Sequence, residues 1–260
     1  MQFSKNWLKE FIDIDLSTQE ICHQLTMAGL EVDGYEDVKS KITGNDSIIK
    51  LDITPNRGDC FSVLGVAREL AVINNLKFSL PKINKISESF TDDINLKVCM
   101  DGPIYFGRTI KNISLKSKTL PLIAERLKLS DQKLIDPVVD ITNYILLELG
   151  QPLHAFDRQK LNGDITVRLA KEKEKIILLD DQELELDSSC LVISDEKEAV
   201  AFAGIMGGKA SSVTDKTNSI FLESAFFKPT IIRGKARKFG FQTDASIRFE
   251  RGVDYEIQEL

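Results

Sequence analysis

The stretch CLVISDEKEAVAFAG, Cys190 to Gly204, decides the fold class. Two short apolar runs flank the acidic turn Asp195 to Glu198, which is the pattern of a β-hairpin and so of antiparallel pairing. The same pattern stands just upstream in KIILLDDQELEL (Lys175 to Leu186), and ITVRLA (Ile165 to Ala170) and SIFLESAFF (Ser219 to Phe227) read as further strands. Helical periodicity lies earlier, in LPLIAERLKL (Leu120 to Leu129) and VVDITNYILLELG (Val138 to Gly150), the second closed by Gly150 and Pro152. Strands dominate after residue 150, and the fold class is α+β.

Toward the N-terminus, Trp7, Leu8 and Phe11 recur at helical spacing from Phe3, and Ser17-Thr-Gln-Glu20 has the form of a capping box opening a second helix that Gly29 ends. LEVDGYEDV and SIIKLDITP read as strands joined by the short polar loop KSKITGN (Lys39 to Asn45), and Asp59 is placed to cap a helix through CFSVLGVARELAVIN. The polar, Pro-containing SLPKINKISESFTDD has the composition of a linker. A small α+β domain over 1–90 followed by a larger domain over 91–260 is therefore expected, the latter opening with the strands INLKVCM and YFGRTI. A last helix starts at Pro229, with FQTDASIRFERG following as a loop.

The chain has 260 residues, 42% of them hydrophobic, and a net charge of −6. That size buries a substantial core, and that charge excludes wholesale phosphate neutralisation as the mode of action. Cys22, Cys60, Cys99 and Cys190 are far apart with no C-x-x-C pair, which gives neither a zinc site nor a disulfide framework and fits free thiols in a reducing cytosol. No secretory signal and no apolar run of membrane-spanning length is present, so a cytoplasmic protein with no metal and no membrane partner is expected.

Four features carry chemistry. His154, one of two histidines, follows a helix whose face bears Asp140, Asn143 and Tyr144; no nucleophile elbow accompanies it, so a Ser or Cys triad is not supported. AFAGIMGG (Ala201 to Gly208) packs glycines closely enough for backbone to approach a ligand, yet it lacks the order of a nucleotide-phosphate loop. Glu223 stands inside an apolar strand, on the face of Phe221 and Ala225, where a carboxylate needs a donor: a structural arginine such as Arg248, or a ligand. Lys228 to Arg251 holds seven basic and two acidic residues, a local positive segment beside Thr243, Asp244 and Ser246.

TMAGLEVDG, DITPNRGDCFSVLGVARELA, VVDITNYILLELGQPLHAFD, AFAGIMGG, FLESAFF and TDASIRFERGVD together resemble the N-terminal part of the bacterial phenylalanine–tRNA ligase β-subunit family, in order and over almost the whole chain. The resemblance implies a heterotetramer in which the α subunit activates the amino acid with ATP and Mg, no cofactor being needed in this part. It implies tRNA(Phe) and the α subunit as partners. It also implies that the second domain is an editing domain hydrolysing Tyr-tRNA(Phe). The site it implies comprises His154 and Asn143 as catalytic residues and Glu223, Gly204, Gly207, Thr243, Ala245 and Lys133 around the substrate, with Glu223 meeting the tyrosine hydroxyl. Arg233, Lys235 and Arg237 would face the tRNA. Two departures stand out. Lys133 replaces an arginine, losing the bidentate fork, and the OB-fold module that relatives insert is absent near 39–45, so the chain reads as a trimmed part of a longer subunit. A stand-alone trans-editing hydrolase and a non-catalytic interaction module are the rival readings.

Overall fold

The computed structural model describes residues 1–81 and 83–260; Lys82, inside the expected linker, lies outside the described residues. The chain forms two compact units: Met1–Asn84 with Lys118–Gly150, and Lys85–Ser117 with Gln151–Leu260.

In the first unit a three-stranded antiparallel sheet, order β1-β3-β2, is built from β1 (Gln2–Ser4), β2 (Glu31–Ser40) and β3 (Gly44–Asp52). The strands run so far into KSKITGN that only three residues turn the hairpin. The helix expected from Phe3 is one turn, α1 (Lys5–Leu8), because Phe3 and Ser4 belong to β1 and Ser4 caps Trp7. The Ser17–Glu20 capping box opens α2 (Thr18–Met27), and Gly29 follows it at φ 86°, the left-handed conformation that glycine adopts without strain. α3 (Val63–Ile73) is capped by Ser62, whose side chain accepts from Gly65 N. Asp59, expected as that cap, instead accepts two hydrogen bonds from Arg57, at 3.1 and 3.0 Å.

The division of the chain differs from a single cut at residue 90. The helices α4 (Pro121–Leu129) and α5 (Pro137–Leu149) belong with the N-terminal residues. The physical reason lies in their side chains: Tyr144 stacks on Trp7 at 4.9 Å, Arg126 lies over the same indole at 5.1 Å, and Trp7 Nε1 donates to Glu148 Oε1 at 3.3 Å. Arg126 also pairs with Glu10.

The second unit holds most of the strands. β4 (Leu96–Val98), β7 (Ile165–Leu169), β10 (Leu191–Ser194), β11 (Ala199–Phe202) and β12 (Met206–Gly207) form a five-stranded sheet of order β12-β11-β10-β7-β4. β5 (Ile104–Lys111), β6 (Leu153–Asp157) and β13 (Ser219–Phe226) form a three-stranded sheet with β13 central, and β8 (Glu174–Ile177) pairs with β9 (Glu183–Leu186). The expected hairpins are thus present, and the architecture is α+β. The core gathers Phe156, Val192, Phe202, Phe227 and Phe249. The helix expected from Pro229 breaks into α6 (Pro229–Ile232) and α7 (Lys235–Lys238), because Gly234 between them takes φ 76°. The expected loop after it contains α8 (Asp244–Arg251), opened by a capping box of Thr243 and Ser246. All four cysteines are free. Among the described residues no helix is long and apolar enough to cross a membrane.

Candidate functional site

β13 is the spine of the site. Its alternation buries Phe221, Glu223 and Ala225 on one face, with Glu223 only 6% exposed. β6 runs antiparallel beside it and sets His154 directly opposite Glu223 and Phe156 opposite Phe221. Directly opposed residues share a face, so carboxyl and imidazole are cross-strand neighbours. On the other edge β5 sets Gly107 opposite Glu223 and Tyr105 opposite Ala225. From that diagonal position the Tyr105 hydroxyl donates to Glu223 Oε2 at 3.1 Å. Glu223 Oε1 accepts no hydrogen bond among the described residues.

Two glycines shape the walls. A Cβ at Gly107 would lie 2.1 Å from the Phe221 ring, so the missing side chain is what lets that ring lie beside Glu223. A Cβ at Gly207 would lie 2.3 Å from His154 Cε1 and 2.5 Å from Nε2. Gly207 is therefore the floor on which the imidazole rests, with the Phe156 ring meeting it edge-on at 4.5 Å. His154 Nε2 is shielded and has no hydrogen-bond partner among the described residues.

This enclosure sets the protonation states. Burial pushes the Glu223 carboxyl up to about 8, against the pull of the Tyr105 hydrogen bond. Burial pushes the His154 imidazole down to about 4, and burial with the adjacent carboxyl raises the Tyr105 phenol well above its ordinary value. At neutral pH the pair is a carboxylic acid facing a neutral imidazole. Such a pair can hold a hydroxyl or a water without carrying net charge.

The other expected residues distribute as follows. Gly204, at φ 69°, faces Phe227, Phe249 and Ile232, so its missing side chain serves core packing. Thr243 caps α8 and donates from Oγ1 to Ile205 O at 2.8 Å, tying the glycine turn to the helix start, while Ala245 sits half-buried in the first turn. Asp244 is exposed and Ser246 fully buried within the cap, and Arg248 pairs with Asp244 at 3.0 Å. The structural donor to Glu223 is thus Tyr105, not Arg248. Asn143, half-buried on α5, and the exposed Lys133 just before that helix both belong to the first unit. Of the basic residues, Arg233 and Arg237 are exposed, whereas Lys235 donates to Ser189 Oγ at 2.7 Å. Tyr105 was not singled out from the sequence; alternation in YFGRTI places it on one face with Gly107, but the partner strand's register is what gives it meaning.

Asp59, Cys60 and Glu69 in the first unit bring three metal-ligand atoms within 4.8 Å of one another. Arg57 already fills that position, donating to Glu69 at 2.8 Å and to Cys60 Sγ at 3.0 Å, and burial holds the thiol protonated up to about 12. The cluster is an internal ion pair rather than a cation site.

Residues 101–260 match a family model described as the B3/4 domain. The chain is 51% identical over 225 residues to the phenylalanine–tRNA ligase β subunit of Idiomarina loihiensis, covering 86% of this chain and 28% of that protein. The same subunit of Photorhabdus laumondii is 50% identical, with 85% and 28% covered, and that of Acinetobacter baylyi 49%, with 86% and 28%. The chain thus spans little more than a quarter of the length of the curated relatives it matches. A solved N-terminal fragment of the phenylalanyl-tRNA synthetase β-subunit from Pyrococcus horikoshii aligns at 18% identity and a TM-score of 0.43, over 86% of this chain and 67% of that one.

Proposed function

The chain belongs to the B3/4 domain family, and from that premise we propose that it is the editing part of a phenylalanine–tRNA ligase β subunit and hydrolyses tyrosine esterified to tRNA(Phe). The observation that carries the reading is the buried pair on one sheet face: Glu223, held through Oε2 by Tyr105, directly across from His154, whose shielded Nε2 has no hydrogen-bond partner among the described residues.

Tyrosine exceeds phenylalanine by one hydroxyl, and an apolar synthetic pocket rejects such an analogue only about a hundredfold. A second site that offers a buried acceptor reverses the preference. A tyrosyl phenol pairs with the free oxygen of the buried Glu223 carboxyl, whereas phenylalanine leaves that oxygen unpaired at a cost of roughly 1–3 kcal/mol. In the reaction, water adds through its oxygen to the ester carbonyl carbon, the bond to the terminal ribose oxygen breaks, and a proton from the water ends on that ribose oxygen. His154 is assigned to positioning of the water or the ribose. An imidazole pushed down to about 4 is too weak a base to take a proton efficiently near pH 7. Gly207 holds that ring in place, and Thr243 and Ala245 border the turn. Arg233 and Arg237 supply a positive face for the tRNA backbone, with Lys235 partly committed to Ser189. In the whole ligase, charging of tRNA(Phe) with phenylalanine, ATP and Mg would belong with the α subunit partner, in the cytoplasm.

The test is release of tyrosine from Tyr-tRNA(Phe) by the purified chain. Acceleration over the spontaneous rate, lost in the Glu223→Ala/His154→Ala double variant, is the expected result. No acceleration, with tRNA binding retained, would leave an interaction module in its place. Hydrolysis that is complete without any α subunit, by a chain that never joins one, would favour a stand-alone hydrolase.

A further inference from the structure

We infer that Tyr105 is a specificity-determining positioning residue of this site: its hydroxyl holds Glu223 by Oε2, so that Oε1 is presented in one fixed orientation to the phenolic hydroxyl of a bound ligand. The inference rests on the editing reading and extends it to a residue on a different strand.

The geometry comes from the sheet. Glu223 is central in β13, and its neighbour across β5 is Gly107, which has no side chain to hold it. The Phe221 ring takes that space and offers no hydrogen bond. Across β6 stands His154, whose Nε2 faces Gly207 and has no hydrogen-bond partner among the described residues. Tyr105, one diagonal step along β5, is therefore the group that orients the carboxyl, at 3.1 Å. A carboxyl can turn about its terminal torsion over a broad range, so an unheld one would offer a ligand either oxygen in many orientations. Held by Oε2, it offers Oε1 alone. The phenol of Tyr105 also matches in kind the group that the site is proposed to select. It satisfies one oxygen of a buried acid that has no other donor among the described residues, which keeps the site intact between ligands.

Burial alone drives Glu223 toward its protonated form, and the Tyr105 bond opposes it. Removing the hydroxyl should therefore do two things: free the carboxyl to rotate, and raise the pH at which it ionises. Both weaken capture of a phenolic hydroxyl, and neither touches the reacting ester.

The experiment compares the wild-type chain with Tyr105→Phe, which keeps the ring and loses only the hydroxyl. Deacylation of Tyr-tRNA(Phe) and Phe-tRNA(Phe) is measured for both, and the carboxyl carbon of Glu223 is titrated by NMR in 13C-Glu-labelled protein, assigned with Glu223→Gln. The expected result is a rise of about tenfold in KM for the tyrosyl ester with a much smaller change in kcat, the size of one buried hydrogen bond. The Tyr-to-Phe ratio in kcat/KM falls by the same factor, and the Glu223 midpoint moves up. A merely structural Tyr105 would lower kcat and thermal stability together and leave the ratio alone. If wild type prefers the tyrosyl ester and Tyr105→Phe keeps both KM and ratio, the inference about Tyr105 is overturned while the editing reading stands. A wild-type chain that discriminates neither ester overturns the reading, and this inference with it. An unmoved Glu223 midpoint in Tyr105→Phe overturns the inference on its own.

Discussion

Replacing Glu223 by glutamine keeps the side chain's shape and removes its ability to ionise. Glu223 is 6% exposed, and burial lifts it from an ordinary 4.5 to about 8. A carboxyl raised in the folded state holds a proton that the unfolded chain has already released. The stability it allows is complete below about pH 4.5 and is lost as pH rises toward 8. Taking 1.36 kcal/mol per pH unit, the loss is about 1 kcal/mol at pH 5, about 3 at pH 7 and about 5 at pH 9. Glutamine carries no such loss. Its amide still accepts from Tyr105, and its unpaired NH2 adds a pH-independent cost of about 1–3 kcal/mol. The diagnostic quantity is therefore the pH dependence of the difference: between pH 5 and pH 9, Glu223→Gln should gain about 4 kcal/mol on wild type. Urea unfolding followed by far-UV circular dichroism measures it. A difference that stays flat from pH 5 to pH 9 would refute the claim that Glu223 is buried without adequate compensation.

Three further outcomes are expected. His154→Ala should slow deacylation by one to three orders of magnitude, the usual range for a positioned polar group, with circular dichroism unchanged; a collapse of stability together with rate would make the histidine a core residue instead. Gly207→Ala should displace the imidazole, because the added carbon would lie 2.3 Å from Cε1, at about 1–3 kcal/mol of stability; a variant with wild-type rate and stability would show that the ring is not seated there. Neutralising Arg233 and Arg237 together should weaken tRNA binding and flatten its dependence on log salt concentration by about one to two units of slope; an unaltered slope would remove them from the tRNA face.

Much of this was legible before the fold was known, and the reasons are local. The Ser17–Glu20 box, Gly150 at φ 77° and the acidic hairpin turns act within a few residues, so their sequence signatures survive folding. Glu223 stood out because period-2 alternation alone puts a carboxylate among Phe221 and Ala225. Choices between equivalent local signals were harder. Asp59 suits a helix start, but Arg57 captures it, and Ser62, three residues on, takes the cap. The run after Pro229 has helical composition, but Gly234 interrupts it. What local patterns do not carry is register. His154 and Glu223 come opposite each other only because β6 and β13, distant in sequence, pair in one alignment, and Tyr105 reaches the carboxyl only because β5 pairs in another. A shift of one residue in either would have turned these side chains to the opposite face. The grouping of residues 118–150 with the N-terminal unit was hidden for the same reason, being decided by packing of Arg126 and Tyr144 on Trp7.

The central claim is that a buried acceptor selects a hydroxylated amino acid for hydrolysis. Its most direct test is the ratio of kcat/KM for Tyr-tRNA(Phe) over Phe-tRNA(Phe), measured on the 260-residue chain and on Glu223→Ala. The account requires a ratio of about ten or more for wild type, the worth of one buried hydrogen bond, and a ratio near one or inverted for the variant. A wild-type ratio near one, or a ratio that Glu223→Ala leaves unaltered, would contradict it.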